Sequence, residues 1–354
     1  MKVQVRKTKN PKTKPDPSKV PFGVAFTDHM FLMEYDDEKG WHDARIVPFD
    51  NIALSPAAVV FHYGAEVFEG LKAYRTPDGQ VQMFRPDANI SRMNDSAERL
   101  CLPQLNEKMV MTALKLFLSV EKEWVPDQYG TSLYIRPVLF ATDEDLSLHG
   151  IHHATFMIIA CVVGSYYKNG LQPVELLIEK DDVRAVRGGT GYAKCGGNYA
   201  AAARAGEKAE AKGYSQVLWV DGVERKYVEE GGGMNVMFVW DGKLVTPELN
   251  GSILPGVTRR SILTMAQDWG MKVEERKITV DELLEACKNG EVQEAFMCGT
   301  AAVVTPIGGF AWGEEKVVVN YNKIGEMTRE IYDTLTGIQW GIKKDPYNWT
   351  VKVD

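Results

Sequence analysis

The chain has 354 residues, 45% of them hydrophobic and 25% charged, which is ordinary globular usage and long enough that two domains are expected. A net charge of -7, from 41 Lys+Arg against 48 Asp+Glu, offers no footprint for nucleic acid or an anionic membrane and leaves small molecules as the expected partners. Five scattered cysteines without CxxC spacing argue against a disulfide framework or a zinc site and for a reducing compartment, the cytoplasm, while the longest apolar run, Phe156 to Val163, is far short of the roughly 20 residues of a membrane helix.

Residues 1–19 carry seven Lys/Arg and one acid, Asp16. No apolar stretch follows, so they read as a flexible or surface-packed arm rather than a targeting peptide. Residues 20–165 form the first expected domain. Strand-like runs lie at Val67 to Tyr74, Val81 to Arg85, Ser132 to Thr142 and Thr155 to Val163, with helices near Ala88 to Leu100 and Glu107 to Trp124. Arg85-Pro86-Asp87 predicts an extended residue followed by a helix start. Around 164–172 the pattern breaks into Gly, Tyr and Asn, and 166–173 is the expected linker, although the same composition suits a loop within one sheet.

Residues 174–354 form the second expected domain. It starts with a strand at Val174 to Ile178 and continues, after a glycine-rich segment, with a helix from Asn198 to Lys212 stopped by Gly213. Strands follow at Gln216 to Val220 and Asn235 to Trp240, the latter turning through Asp241-Gly242 into Leu244 to Thr246. A helix from Thr258 to Trp269 closes at Gly270. Thr279 with Glu282 reads as a capping box for a helix ending at Gly290, and a last helix spans Ile324 to Thr336.

The segment Gly188-Gly189-Thr190-Gly191-Tyr192-Ala193-Lys194-Cys195-Gly196-Gly197-Asn198-Tyr199 packs five glycines into twelve residues before a helix. It fails as a phosphate-binding P-loop because Ala193 precedes Lys194 and Cys195 follows it, and its glycine spacing fails as a dinucleotide fingerprint. By itself it also suits a flexible loop with a solvated lysine.

The segment resembles the active-site stretch of branched-chain aminotransferases, members of the fold-type IV pyridoxal-phosphate enzymes. Further similar segments are Phe22-Gly23, Phe26-Thr27-Asp28-His29-Met30, Phe68-Glu69-Gly70-Leu71-Lys72-Ala73, Phe84-Arg85-Pro86 and Tyr134-Ile135-Arg136-Pro137. The series continues with Gln216-Val217-Leu218-Trp219, Met234-Asn235, Leu254-Pro255-Gly256-Val257 and Gly299-Thr300-Ala301, covering about residues 20 to 350 in order. The resemblance implies a two-domain α+β / α/β chain with the D-amino acid aminotransferase-like fold. In it a smaller N-terminal α/β domain precedes a larger C-terminal, cofactor-binding domain with a pseudo-barrel sheet.

The implied activity is transfer of the α-amino group between L-leucine, L-isoleucine or L-valine and 2-oxoglutarate, with pyridoxal 5'-phosphate held as a Schiff base on Lys194 and no metal. Such chemistry needs a lysine amine as nucleophile and proton carrier, and a carboxylate that keeps the pyridine nitrogen protonated. The resemblance assigns the carboxylate to Glu230, with Glu229 one residue away on the opposite face of a strand. It assigns the ring hydroxyl's partner to Tyr199 and the phosphate to Arg92, Thr300 and the amides of Val257 and Thr258, a predicted helix start that suits an anion. Gly233 and Asn235 complete the implied cofactor site.

The implied substrate wall comprises Phe22, Phe68, Tyr134 and Tyr166, with Ala301 and Ala302 offering amides to the α-carboxylate. Arg136, two residues beyond Tyr134 on the same strand face, would pair the distal carboxylate of glutamate. Tyr63, Leu146 and Leu148 match positions that reach in from a second subunit, which implies a homodimer. Two departures stand out: Gly233 replaces a threonine of some relatives, and Ala302-Val303-Val304-Thr305 replaces the redox-sensitive CxxC of vertebrate members. A D-amino acid aminotransferase or an aminodeoxychorismate lyase of the same fold is the nearest rival. A noncatalytic phosphate-ligand binder would leave Glu230, Arg92 and Gly299-Thr300-Ala301 without a role.

Overall fold

The computed structural model describes residues 2–165 and 170–353. The chain forms two compact units, one of Met1–Tyr166, Ala193–Gly196 and Gly337–Asp354, the other of Tyr167–Tyr192 and Gly197–Thr336. In chain order the first contains β1 (Gln4–Val5), β2 (Ala25–Phe26), β3 (His29–Asp36), β4 (Gly40–Pro48), α1 (Val59–Tyr63), β5 (Glu66–Phe68), β6 (Leu71–Arg75) and β7 (Val81–Phe84). It continues with α2 (Pro86–Arg99), α3 (Glu107–Val120), β8 (Ser132–Ala141) and β9 (His153–Val163). The second contains β10 (Val174–Ile178), α4 (Gly196–Ala211), β11 (Gln216–Val220), β12 (Val228–Gly231), β13 (Met234–Trp240), β14 (Lys243–Pro247) and α5 (Val257–Asp268). After these come β15 (Val273–Arg276), α6 (Val280–Asn289), β16 (Val292–Gly299), β17 (Val303–Trp312), β18 (Glu315–Val318) and α7 (Glu326–Gln339), while the last strand, β19 (Thr350–Val353), belongs to the first unit.

The first sheet runs β1-β4-β3-β9-β8-β6-β7-β19, with β2 on β9 and β5 on β8. The helix α3 covers it through Val110, Ala113, Leu114, Phe117 and Leu118, an i, i+3, i+4, i+7, i+8 stripe that gives the helix one apolar face. The second sheet runs β12-β11-β10-β17-β16-β13-β14-β15, and an additional β12–β13 pairing closes its first six strands into a barrel. Closure leaves those strands without an open edge.

The capping box forms as expected, Thr279 Oγ1 accepting from Glu282 N at 3.1 Å, and Gly290 ends α6 in the left-handed conformation at φ 77°. Other expectations differ. Val67 to Tyr74 is two strands, because the chain breaks at Glu69-Gly70 between β5 and β6. Arg85 is left-handed at φ 49°, ψ 46° rather than extended, although Pro86 does open α2. Proline forbids its predecessor the right-handed helical region, and the left-handed one also satisfies that restriction.

The C-terminal residues do not stay with the second unit. β19 lies antiparallel on β7, with Thr350 opposite Phe84 and Val353 opposite Val81. Gln82 Nε2 donates to Ile338 O and Gln339 O, and Trp340 packs edge-on against Tyr74 at 4.7 Å. With Ala193–Gly196 also in the first unit, that unit becomes the larger, the reverse of the expected size order. The basic arm is packed and ordered: β1 pairs in parallel with β4, Thr8 N donates to His29 Nε2 at 2.8 Å, and Lys12 Nζ donates to Thr27 O at 2.9 Å. Among the described residues no helix is long and apolar enough to cross a membrane.

Candidate active site

In the first unit, the Lys194 peptide is held at both ends. Its N–H donates to Ser96 Oγ at 2.9 Å, and its carbonyl accepts from Phe68 N at 2.9 Å. The next peptide is held too, since Gly196 N donates to the Glu66 carboxylate, which fills the space a Cβ at 196 would need. Lys194 is half-buried. Its Nζ sits 4.8 Å from the Phe68 ring centre, so it is not a solvated loop lysine.

The helix α2 directs Asn89, Arg92 and Ser96 along one stripe, positions i, i+3 and i+7. Arg92 meets Glu69 through Nε to Oε1 at 2.7 Å and Nη2 to Oε2 at 2.9 Å, a forked pair with both side chains buried. Asn89 Nδ2 and Gly70 N add bonds to Glu69 Oε2 at 2.8 and 3.1 Å. Burial raises the Glu69 carboxyl, but the charge and hydrogen bonds of Arg92, the Lys194 charge and Asn89 together outweigh it and hold it below its ordinary range.

Along β8 the strand period puts Tyr134 and Arg136 on one face. Phe22 meets Tyr134 edge-on at 5.0 Å. Arg136 lies 4.6 Å from the Phe68 ring centre, and its Nη2 donates to Tyr134 Oη at 3.1 Å. Its buried Nε has no hydrogen-bond partner among the described residues. Lys72, opposite Tyr134 across β6 and β8, is buried and pushed down to about 8 by burial. Gly70 admits this arrangement because the Tyr134 hydroxyl occupies the space of any Cβ there. Elsewhere on the unit Tyr63, Leu146 and Leu148 are exposed, with Tyr63 Oη donating to Leu146 O at 2.7 Å. The expected wall residue Tyr166 lies outside the described residues.

In the second unit, the strand period of β12 turns Glu229 and Glu230 apart. Glu229 accepts from Asn250 Nδ2 at 2.8 Å and from Ser252 Oγ. Glu230 Oε1 accepts from Leu254 N at 3.0 Å and Asn235 Nδ2 at 3.2 Å, while Oε2 lies 2.7 Å from Arg184 Nε. Tyr199, on α4, shares with Glu230, Gly232 and Gly233 the lining of a cavity of about 110 Å³. A Cβ on Gly233 would meet only Tyr199, at 4.0 Å.

Asn235 spends its amide on Glu230 and on Leu254 O at 2.9 Å, and its Oδ1 fills the space of a Cβ on Gly256. It therefore braces the turn into α5 rather than offering that amide to a ligand. Gly256 gives α5 no side-chain cap, leaving the first amides, Val257 and Thr258 included, without that partner. Gly299 pairs with Val303, so Thr300, Ala301 and Ala302 form the turn from β16 to β17. Val303 sits at φ 64°, a strained conformation for a β-branched residue. Cys298 beside this turn is buried, and burial pushes its thiol up to about 12, unsuited to thiolate chemistry.

Glu69, Arg184 and Lys72 were not singled out in the sequence. Glu69 and Lys72 lie inside a family-like segment and could have been found as charges among strand residues. Arg184 carries no such signal.

A family model described as amino-transferase class IV matches residues 66–309. The branched-chain-amino-acid aminotransferase 2 of Bacillus subtilis (strain 168) is 49% identical over 351 residues, covering 99% of this chain and 97% of the relative. The crystal structure of the Escherichia coli branched-chain amino acid aminotransferase matches with a TM-score of 0.77 at 26% identity, over 92% of this chain and 99% of that one. The branched-chain aminotransferase of the thermophilic archaeon Thermoproteus uzoniensis, in a crystal structure with norvaline, matches with a TM-score of 0.75 at 26% identity, over 92% of this chain and 100% of that one.

Proposed function

This chain belongs to the class IV aminotransferases, and from that premise we propose that it moves the α-amino group between L-leucine, L-isoleucine or L-valine and 2-oxoglutarate. The cofactor is pyridoxal 5'-phosphate, and Lys194 would be the lysine that carries it. The residues fit this group: a half-buried amine on a fixed peptide, a buried carboxylate held by donors, and an uncapped helix start for a phosphate. When bound, the cofactor supplies the electron sink that lets the substrate's α-proton leave.

Lys194 would hold the cofactor, and its Nζ would take the substrate's α-proton and carry it to the cofactor carbon that receives the amino group. Glu230 would keep the ring nitrogen protonated, and Tyr199 would donate to the ring hydroxyl. Arg92, aimed by Glu69, would hold the phosphate, and the Val257 and Thr258 amides and the Thr300 hydroxyl would add donors to it. Gly233 leaves its backbone open to the ring. Asn235 acts on the cofactor only by bracing Glu230 and Leu254.

The observation that carries the substrate reading is that two cations share one aromatic ring. Lys194 Nζ and the Arg136 guanidinium lie 4.8 and 4.6 Å from the centre of Phe68. A five-carbon diacid reacting at the lysine has its distal carboxylate toward Arg136, whose Nε lacks a partner among the described residues. An aliphatic substrate packs instead on Phe22, Phe68 and Tyr134, with its α-carboxylate on the Ala301 and Ala302 amides. Exposed Tyr63, Leu146 and Leu148 would reach the site of a second copy in a homodimer.

Borohydride treatment of the cofactor-loaded protein should fix the cofactor on the peptide containing Lys194, and K194A should retain none after denaturation. Label on another lysine would overturn the assignment. Leucine, isoleucine and valine should each change the cofactor absorbance, with 2-oxoglutarate restoring it. A response to D-alanine alone would point to the D-amino acid enzyme.

A further inference from the structure

We propose that Arg184 is the positioning residue for Glu230, holding its carboxylate ionised and oriented toward the cofactor's ring nitrogen. This rests on the reading of Glu230 given above. Both side chains are buried, and Arg184 Nε lies 2.7 Å from Glu230 Oε2, an ion-pair contact without hydrogen-bond alignment. Arg184 Nη2 donates to Gly191 O at 3.0 Å and also to Ser252 O. The guanidinium is thereby fixed to the glycine-rich segment and to the loop before α5. Gly191 must be glycine for this packing, since the Ser252 backbone occupies the place of its Cβ.

The neighbouring acid has partners of a different kind. Glu229 is equally buried, yet it is held by the neutral Asn250 and Ser252, whereas Glu230 receives a cation and two neutral donors. A buried carboxylate without a cation gains affinity for a proton. Glu230 would then keep the proton that the ring nitrogen needs, and the electron sink would weaken. A buried ion pair adds little net stability compared with apolar packing, so a fixed charge, rather than stability, is the gain from Arg184. Asn235 and the Leu254 amide set the other oxygen, leaving the carboxylate little freedom to rotate.

The test uses the cofactor-loaded protein and the variants R184Q, R184K, E230Q and R184Q/E230Q. R184Q should lower kcat for leucine on the order of tenfold or more with KM nearly unchanged, the pattern for lost stabilisation of the reaction rather than of binding. It should also displace the pH at which the cofactor's absorbance band titrates, which a purely structural residue would not do. R184K, which keeps a charge, should fall between wild type and R184Q. The double variant should be no slower than E230Q, because Arg184 acts through that carboxylate. If R184Q fails to fold, R184K with the same two readouts decides the matter. Wild-type kcat and band titration in the folded arginine variants, or losses that multiply in the double variant, would overturn the proposal. Wild-type kcat in E230Q would instead overturn the reading of Glu230 itself.

Discussion

Each unit buries one arginine, one glutamate and one asparagine in contact, and the two groups are built differently. In the first, Arg92 and Glu69 meet fork to fork through two bonds of 2.7 and 2.9 Å, with Asn89 and Gly70 N adding to Glu69. In the second, Arg184 meets Glu230 through one nitrogen and directs another at two backbone carbonyls. The same three residue types thus serve opposite ends: Glu69 is the anchor that aims an arginine, and Arg184 is the anchor that aims a glutamate. The two anchors differ in form: Glu69 gives both oxygens to one guanidinium, whereas Arg184 divides its nitrogens between a carboxylate and the backbone. Arg136 belongs to neither group: its Nη2 bonds to Tyr134 and its buried Nε, like that of Arg184, lacks a hydrogen-bond partner among the described residues.

The largest expected effect tests the anchor in the first group. E69A leaves Arg92 buried without its carboxylate and should lower stability by about 3–5 kcal/mol, read from the urea midpoint of the cofactor-free protein, together with weaker cofactor binding. A loss below about 1 kcal/mol would mean that Glu69 is no anchor. R136Q should come next, cutting kcat/KM for glutamate roughly 10–100-fold, as expected for one hydrogen bond to a charged group, while leucine is far less affected. Equal losses on both substrates would place Arg136 with the anchors.

Lys72 offers a pH test of the same idea. Burial lowers its pKa from 10.5 to about 8 in the folded protein, so between these values the unfolded chain binds more protons than the folded one. Stability should therefore rise with pH across that window, and K72M should remove the rise. Thermal unfolding from pH 7 to 11 reads this directly. A K72M profile with the same slope there would show that Lys72 is not its source.

Two asparagines and Gly233 give the smallest effects, and Gly232 supplies the contrast. N89A should cost about 1 kcal/mol and little activity, because Glu69 keeps its arginine and Gly70 N. N235A should cost similar stability but more kcat, since it frees both Glu230 and the turn at Leu254; equal kinetic losses would erase the contrast between the groups. Gly232, at φ 56° with Gln216 in the way of a Cβ, should resist replacement, whereas G233T, with only Tyr199 at 4.0 Å, should stay within about 0.5 kcal/mol of wild type in thermal unfolding.

Much of the local architecture was legible before any coordinates. The stripe on α3, the Thr279–Glu282 box and the glycine stops at 213, 270 and 290 act over a few residues, within reach of a pattern reading. The glycine-rich lysine segment and the strand alternation that separates Glu229 from Glu230 belong to the same class. The arm's parallel pairing with β4 and the left-handed Arg85 were not legible, because neither follows from local periodicity.

The sequence by itself determined the element types over much of the chain and the family, and it nominated the residues proposed to carry the chemistry. Only the tertiary structure decided that β19 returns to β7, that Lys72 stands opposite Tyr134, and that Arg92 and Glu230 each have a particular charged anchor. The reason is physical: propensity and capping act between near neighbours along the chain, whereas strand pairing and buried ion pairs join residues whose separation the fold alone closes.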